Sequence, residues 1–189
     1  MAGGPIIIGG WRDARTNSRA ASNCRFQGYG LNVAMPVYGP DGVLVMSSAY
    51  SGGWQAVQLT RQGGKIVSKS LWEMKKRRVH HGNLVRIGDV VCGSSCDFGP
   101  APLTAVEVKT GKVLWQDRSF AKAGIVLVDG KAVLVDEDGV MGLVRLTPGG
   151  LEVLSRFQAM NGRSWTSPAK VGTKLDVRNR EKIAPYKLE

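Results

Sequence analysis

His80 and His81 are the only histidines in the chain, and an adjacent pair could supply acid–base or metal chemistry. On a β-strand, neighbouring side chains leave from opposite faces. The two can therefore share a site only if the strand has not yet begun at that point. The densest acidic cluster, Asp136-Glu137-Asp138-Gly139, has the oxygen donors that calcium takes, but Asp-Gly is also good hairpin chemistry, and the turn is the reading carried forward. Cys24, Cys92 and Cys96 make an odd count. Along an extended strand Cys92 and Cys96 lie about 13 Å apart, well beyond the reach of a disulfide unless a turn intervenes. No second pair stands at zinc-site spacing, so small buried side chains account for them. No G-x-S-x-G, P-loop or dinucleotide fingerprint occurs, which leaves nucleophilic and phosphate-handling chemistry without an anchor.

The net charge of +11 and pI near 9.9 raise the question of nucleic acid, which is bound by clustered Lys and Arg. Only Lys75-Lys76-Arg77-Arg78 forms a run. The other basic residues are spread through turns and strands, as on a solvated surface, so a basic nucleic-acid-binding surface is kept only as a lesser alternative. With 43% hydrophobic residues over 189 positions, the chain suits one globular unit, and no apolar run is long enough to span a bilayer. Residues 1–10 hold Pro5 and Ile6-Ile7-Ile8 but no basic start, so no export signal is expected there.

What would position any site is a repeat. Glycines precede apolar runs at Gly42, Gly88, Gly130 and Gly172, at intervals of 46, 42 and 42 residues. Aromatics late in each unit, Trp72, Trp115 and Phe157, repeat at 43 and 42. Within a unit, four short β-rich runs are separated by turn residues. In the second unit they are 81–87, 90–95, 103–108 and 112–116; in the first, 33–38, 43–49, 54–59 and 65–72; in the third, 124–128, 132–135, 140–146 and 151–157. The fourth starts at Pro168 and stops near Leu188 after three strands. The 25 glycines and 8 prolines interrupt every helical window. The expected fold is all-β: β-propeller blades, each a four-stranded antiparallel meander, three and a half to four in number and forming an incomplete propeller. The blades are expected at about 29–73, 79–118, 123–159 and 164–189, after an irregular, Arg- and Ser-rich lead-in over 1–28. An open array leaves unpaired edges and apolar faces on its terminal blades, which predicts self-association through them.

The stretch Leu103-Thr104-Ala105-Val106-Glu107-Val108-Lys109-Thr110-Gly111-Lys112-Val113-Leu114-Trp115 resembles the repeat of the pyrroloquinoline-quinone-like (PQQ-like) propeller superfamily, approximately A-L-D-x-x-T-G-x-x-x-W. The resemblance covers 29–188 and includes Ser94-Ser95, Asp97-Phe98-Gly99-Pro100-Ala101-Pro102 and Ser164-Trp165-Thr166-Ser167-Pro168. It implies that the Thr-Gly turn reverses the chain between third and fourth strands, and that the tryptophan packs between adjacent blades. It further implies a bacterial repeat protein similar to the C-terminal half of a member with about seven or eight blades, periplasmic or extracellular when intact. Some members are quinoprotein dehydrogenases using PQQ and calcium. Here the adjacent Cys-Cys pair and a calcium ligand set are missing, so both cofactors belong only to an alternative reading.

In a meander the second-to-third and fourth-to-first connections share one rim. These are the longer loops, 50–53, 77–81, 97–102, 161–165 and 178–181, and loops on a rigid scaffold usually carry binding residues. The candidate rim residues are Tyr50, Arg78, His80, Asp97, Trp165, Arg178 and Arg180. The expected function is a non-catalytic scaffold for protein or ligand contacts, as in the outer-membrane-assembly lipoprotein of the same superfamily.

Overall fold

The computed structural model describes residues 33–50, 52–95, 99 and 101–188; the lead-in over 1–28, Cys24, Cys96 and the candidate Asp97 lie outside them. The described residues form antiparallel meanders and no helix. Blade 1 comprises β1 (Val37–Tyr38), β2 (Val43–Ser48), β3 (Gly53–Gln62) and β4 (Lys65–Met74). Blade 2 comprises β5 (Val85–Ile87), β6 (Val90–Ser94), β7 (Leu103–Glu107) and β8 (Val113–Asp117). Blade 3 comprises β9 (Gly124–Val128), β10 (Lys131–Val135), β11 (Val140–Thr147) and β12 (Gly150–Gln158). Blade 4 has three strands, β13 (Ala169–Val171), β14 (Lys174–Arg178) and β15 (Ile183–Lys187). These are blades of an incomplete propeller.

The second strands read as continuous apolar runs because each is buried on both faces. In β6, Val91 packs toward blade 1 with Val43, Val45, Trp54 and Ala56, while Val90 and Cys92 pack toward blade 3 with Ile125, Ala132 and Leu134. Strand β10 repeats the division: Ala132 and Leu134 face blade 2, and Val133 and Val135 meet Leu175 and Val177 of blade 4. Each junction is also tied by a hydrogen bond into the connection that follows. The Val79 N–H donates to Ser47 Oγ at 2.7 Å, the Ala123 N–H to Ser94 Oγ at 2.8 Å, and the Ser164 N–H to the Glu137 carbonyl at 3.0 Å. Near the opposite rim, Arg86 makes a two-pronged bridge from β5 to Asp41 at 2.9 and 2.8 Å.

Three differences from the sequence reading have physical causes. The first strand of blade 2 begins at Val85, not at 81, because the chain before it is engaged by the next blade. The Asn83 side chain donates to the Ile125 carbonyl at 2.8 Å and accepts the Ile125 N–H at 2.9 Å and the Ser167 hydroxyl at 2.8 Å, joining blades 2, 3 and 4. In blade 1 the first strand is only Val37–Tyr38, and it starts just after Pro36, which has no N–H for a ladder.

The third difference concerns the aromatic repeat. A register shift between third and fourth strands recurs in three blades, at Ala56/Val57, Ala105/Val106 and Leu143/Val144. The residue that follows the unpaired leucine is Trp72, Trp115 and then Ser155. Phe157 stands two residues further along, opposite Met141, and packs edge-on against Tyr186 at 5.7 Å.

The outer face of the last blade is mixed: Val171 and Ile183 are exposed on it at 78% and 68%, in register with charged residues of β14. Leu175 and Val177 point to blade 3, so Lys174, Asp176 and Arg178 occupy the outer side of β14, with Lys174 and Asp176 paired at 3.6 Å. The free edge of β15 is interrupted as well. The Leu188 N–H bonds Thr173 and the Lys182 carbonyl accepts from Asn179, so even-numbered backbone groups face β14. Residue 185 faces the free edge, and it is Pro185, which has no N–H.

Candidate functional site

The rim that collects the second-to-third and fourth-to-first connections carries a ladder of rings. Tyr50 meets His80 edge to face at 5.0 Å, His80 stacks on His81 at 3.8 Å, His81 stacks on Trp165 at 4.9 Å and 7° from parallel, and the Arg180 guanidinium lies over Trp165 at 5.0 Å. The ladder runs from the β2–β3 connection of blade 1 to the β14–β15 connection of blade 4. Four of the candidate residues, Tyr50, His80, Trp165 and Arg180, are brought together in it.

Arg78 stands apart from the ladder: its Nε donates to the Lys75 carbonyl at 3.2 Å, and its backbone N–H to Ser95 Oγ at 3.1 Å, which fastens the blade 1–2 connection. Arg178 ends β14 on the outer side of blade 4 and is exposed.

His81, Glu137, Lys122 and Arg163 complete the site and were not among the candidates. The sequence makes His81 the first residue of a strand; since β5 begins four residues later, the two histidines lie in a connection and stack on each other. Glu137 falls in the hairpin turn that its sequence predicts, and the turn chemistry is present. Asp136 Oδ1 accepts from the Asp138 and Val140 N–H groups at 3.0 and 2.9 Å, and Gly139 is left-handed at φ +84°. That turn is a second-to-third connection, however, and so lies on the ladder's rim. The Glu137 carboxylate, buried, receives Lys122 Nζ at 3.2 Å, Arg163 Nη1 at 2.5 Å and Trp165 Nε1 at 3.4 Å. A signal was present in the repeat. Buried polar residues stand at or just past the end of the second strand in every unit, at Ser48, at Ser95, at Asp136 with Glu137, and at Asn179.

Burial holds His81 below the ordinary imidazole range, with His80 and Lys122 adding repulsion and Glu137 opposing them. Asp136 is pushed up by burial, against its two backbone hydrogen bonds. Two of the site's residues, Tyr50 at φ +54° and Lys122 at φ +49°, sit in the left-handed region, where a non-glycine residue costs about 1–2 kcal/mol. Such strain persists only where the surroundings impose it, and it concentrates at functional sites.

The described residues contain no group of three His, Cys, Asp or Glu able to hold a metal; of the two buried carboxylates on the rim, Asp136 caps its own turn and Glu137 is taken by two cations. The cavity lined by Gly52, Gly53, Trp54, Gln55 and Glu73 measures about 10 Å³, about the space one water needs. Trp54 Nε1 is buried with no hydrogen-bond partner among the described residues.

No family model matches the chain, and no curated protein matches it. Solved structures do. BamB from Moraxella catarrhalis, a β-propeller, superposes with a TM-score of 0.58 at 20% identity over 80% of this chain and 41% of its own. The computationally designed Ika8 protein superposes with a TM-score of 0.54 at 11% identity, over 81% of this chain and 45% of its own. The designed Ika4 protein gives 0.56 at 11% identity over 88% of this chain and 96% of its own. The chain thus spans less than half the length of BamB and Ika8. What these likenesses establish is the architecture: an array of four-stranded antiparallel propeller blades ending in one of three strands.

Proposed function

We propose that this protein is a non-catalytic propeller scaffold that binds a protein partner through the rim carrying the Tyr50–Arg180 ladder. The observation that carries the reading is the ladder itself. It draws side chains from connections of blades 1, 2, 3 and 4 into one line and maintains two strained residues on its border. A rigid scaffold presenting a preordered loop surface lowers the ordering cost of association. Among the described residues no nucleophile–base pair or metal set accompanies the ladder, which favours binding over catalysis. The likeness to BamB supports a propeller scaffold. The finer assignment to PQQ-like repeats rests on the Thr110-Gly111 turn and Trp115.

The test is site-specific photocrosslinking in cells, with a photoreactive amino acid at position 163 on the rim or at 154 on the outer strand β12. The scaffold reading predicts discrete protein adducts from 163 and none from 154. Equal adducts from both positions, or none from either, would overturn it.

Self-association through a blade edge is a second reading. Exposed Ile66, Val67 and Leu71 on β4 favour the outer edge of blade 1, since Pro185 blunts β15. Light scattering that stays at the monomer mass across a hundred-fold concentration series would exclude it.

A further inference from the structure

We propose that the segment bound by this rim is acidic: an extended, carboxylate-bearing stretch of a partner protein laid along the ladder. This deepens the scaffold reading and rests on it. The rim's cations are largely uncommitted. Lys75, Lys76 and Arg77 at the blade 1–2 connection, and Arg180 at the blade 4 end, make no ion pair among the described residues. They flank the two ends of the ladder with positive charge, which steers and orients an acidic ligand.

The rim also contains its own example of the chemistry. Glu137 is a carboxylate set between an ammonium, a guanidinium and an indole N–H. The same donor types recur uncommitted nearby. Arg180 lies with its guanidinium over Trp165, which limits its freedom and leaves its N–H fork available to a carboxylate.

Nucleic acid would be drawn to the same charge, but the ladder lacks what it needs. Sequence-tolerant binding of single strands depends on ring faces open to stacking bases. Here Trp165 is stacked with His81 and carries the Arg180 guanidinium over its ring, and His81 is stacked with both His80 and Trp165. The faces are spent on one another. What remains accessible is a basic border, which suits carboxylates better than bases.

Fluorescence anisotropy of the full chain with labelled decaglutamate, decaglutamine and a ten-nucleotide oligothymidine, at low and at physiological salt, tests this. Decaglutamate is expected to bind most tightly and to weaken with salt. Arg180→Gln should weaken it about ten-fold, the loss of one charge-assisted contact, and Lys75→Gln/Lys76→Gln by a similar factor, whereas Lys131→Gln on another surface should not. Arg180 and Lys75 are exposed, so these variants are expected to fold, and an unchanged circular dichroism melt verifies it. Decaglutamine binding as tightly, or affinity indifferent to Arg180, overturns the acidic ligand while leaving the scaffold reading to the crosslinking result. Tighter binding of oligothymidine overturns the acidic ligand in favour of nucleic acid. If 163 also yields no protein adduct, the scaffold reading falls separately.

Discussion

Trp72, on the last strand of blade 1, lies against Gly111 in the Thr-Gly turn of blade 2: a Cβ at Gly111 would stand 2.7 Å from Trp72 Cδ2. The indole N–H donates to the Val108 carbonyl in the same turn at 2.7 Å. The next junction repeats the bond, with Trp115 Nε1 donating to the Thr147 carbonyl at 2.8 Å. At both junctions the tryptophan of one blade is thus fastened to the backbone at the turn between the third and fourth strands of the next.

Gly111→Ala should therefore cost more than its backbone conformation alone. Gly130 has the same φ of +75° and open space around its would-be Cβ, so Gly130→Ala isolates the left-handed penalty of about 1–2 kcal/mol. Gly111→Ala adds overpacking against the indole, typically about 1–3 kcal/mol more. Urea unfolding of both variants measures the difference; equal losses would show that the tryptophan yields freely.

Glu137→Gln keeps the shape of the side chain and removes the charge that Lys122 and Arg163 share. Hydrogen bonds to charged groups are worth about 1.5–3 kcal/mol when buried, and Arg163 is half exposed, so a loss of about 1–2 kcal/mol is expected by the same rule with solvent screening. Crystallography or the Trp165 emission maximum would show whether the ladder moves with it. A variant as stable as the parent would mean that solvent already screens the pair.

His81 sets a pH dependence with a definite sign. Its native pKa lies below the unfolded value of 6.5, so the unfolded chain takes up the proton first. Stability from this group is present above 6.5 and is lost as pH falls from there toward the lowered native value. Asp136, raised by burial, acts in the opposite sense, so the comparison is between parent and His81→Phe. The parent should lose more stability than the variant between pH 7.5 and 5.5 in urea titrations. Identical losses would remove His81 as the cause.

Burial pushes the Cys92 thiol up to about 12, which leaves almost no thiolate at neutral pH. In a Cys24→Ser/Cys96→Ser background, Cys92 should resist iodoacetamide until the protein is unfolded. Rapid native labelling would place it in a more open environment.

Pro185→Thr restores an N–H to the free edge of β15. The parent edge is blunted, so the variant is expected to associate more readily at high concentration, read by light scattering. No change would show that charge on the outer face of blade 4, from Lys174, Asp176 and Arg178, is enough to prevent pairing.

The sequence by itself determined the blades. Glycine turns, alternation and the spacing from Gly42 to Gly172 are properties of chain neighbours, and local sterics and the two-residue pleat convert them directly into strands. The Lys109–Trp115 stretch was legible for the same reason. The site was legible only in part. Tyr50, His80, Trp165 and Arg180 were reached by placing loops on a rim, but their stacking, and the entry of His81 into it, depended on where β5 begins. That was decided by Asn83 bonding to Ile125 in the next blade. Likewise a turn motif says that Asp136 will cap its own backbone, and says nothing of Glu137, whose partners Lys122 and Arg163 come from connections on either side. Pairings of this kind follow from how the blades are set side by side around their axis. That arrangement is fixed by packing between sheets, which no residue's immediate neighbours record.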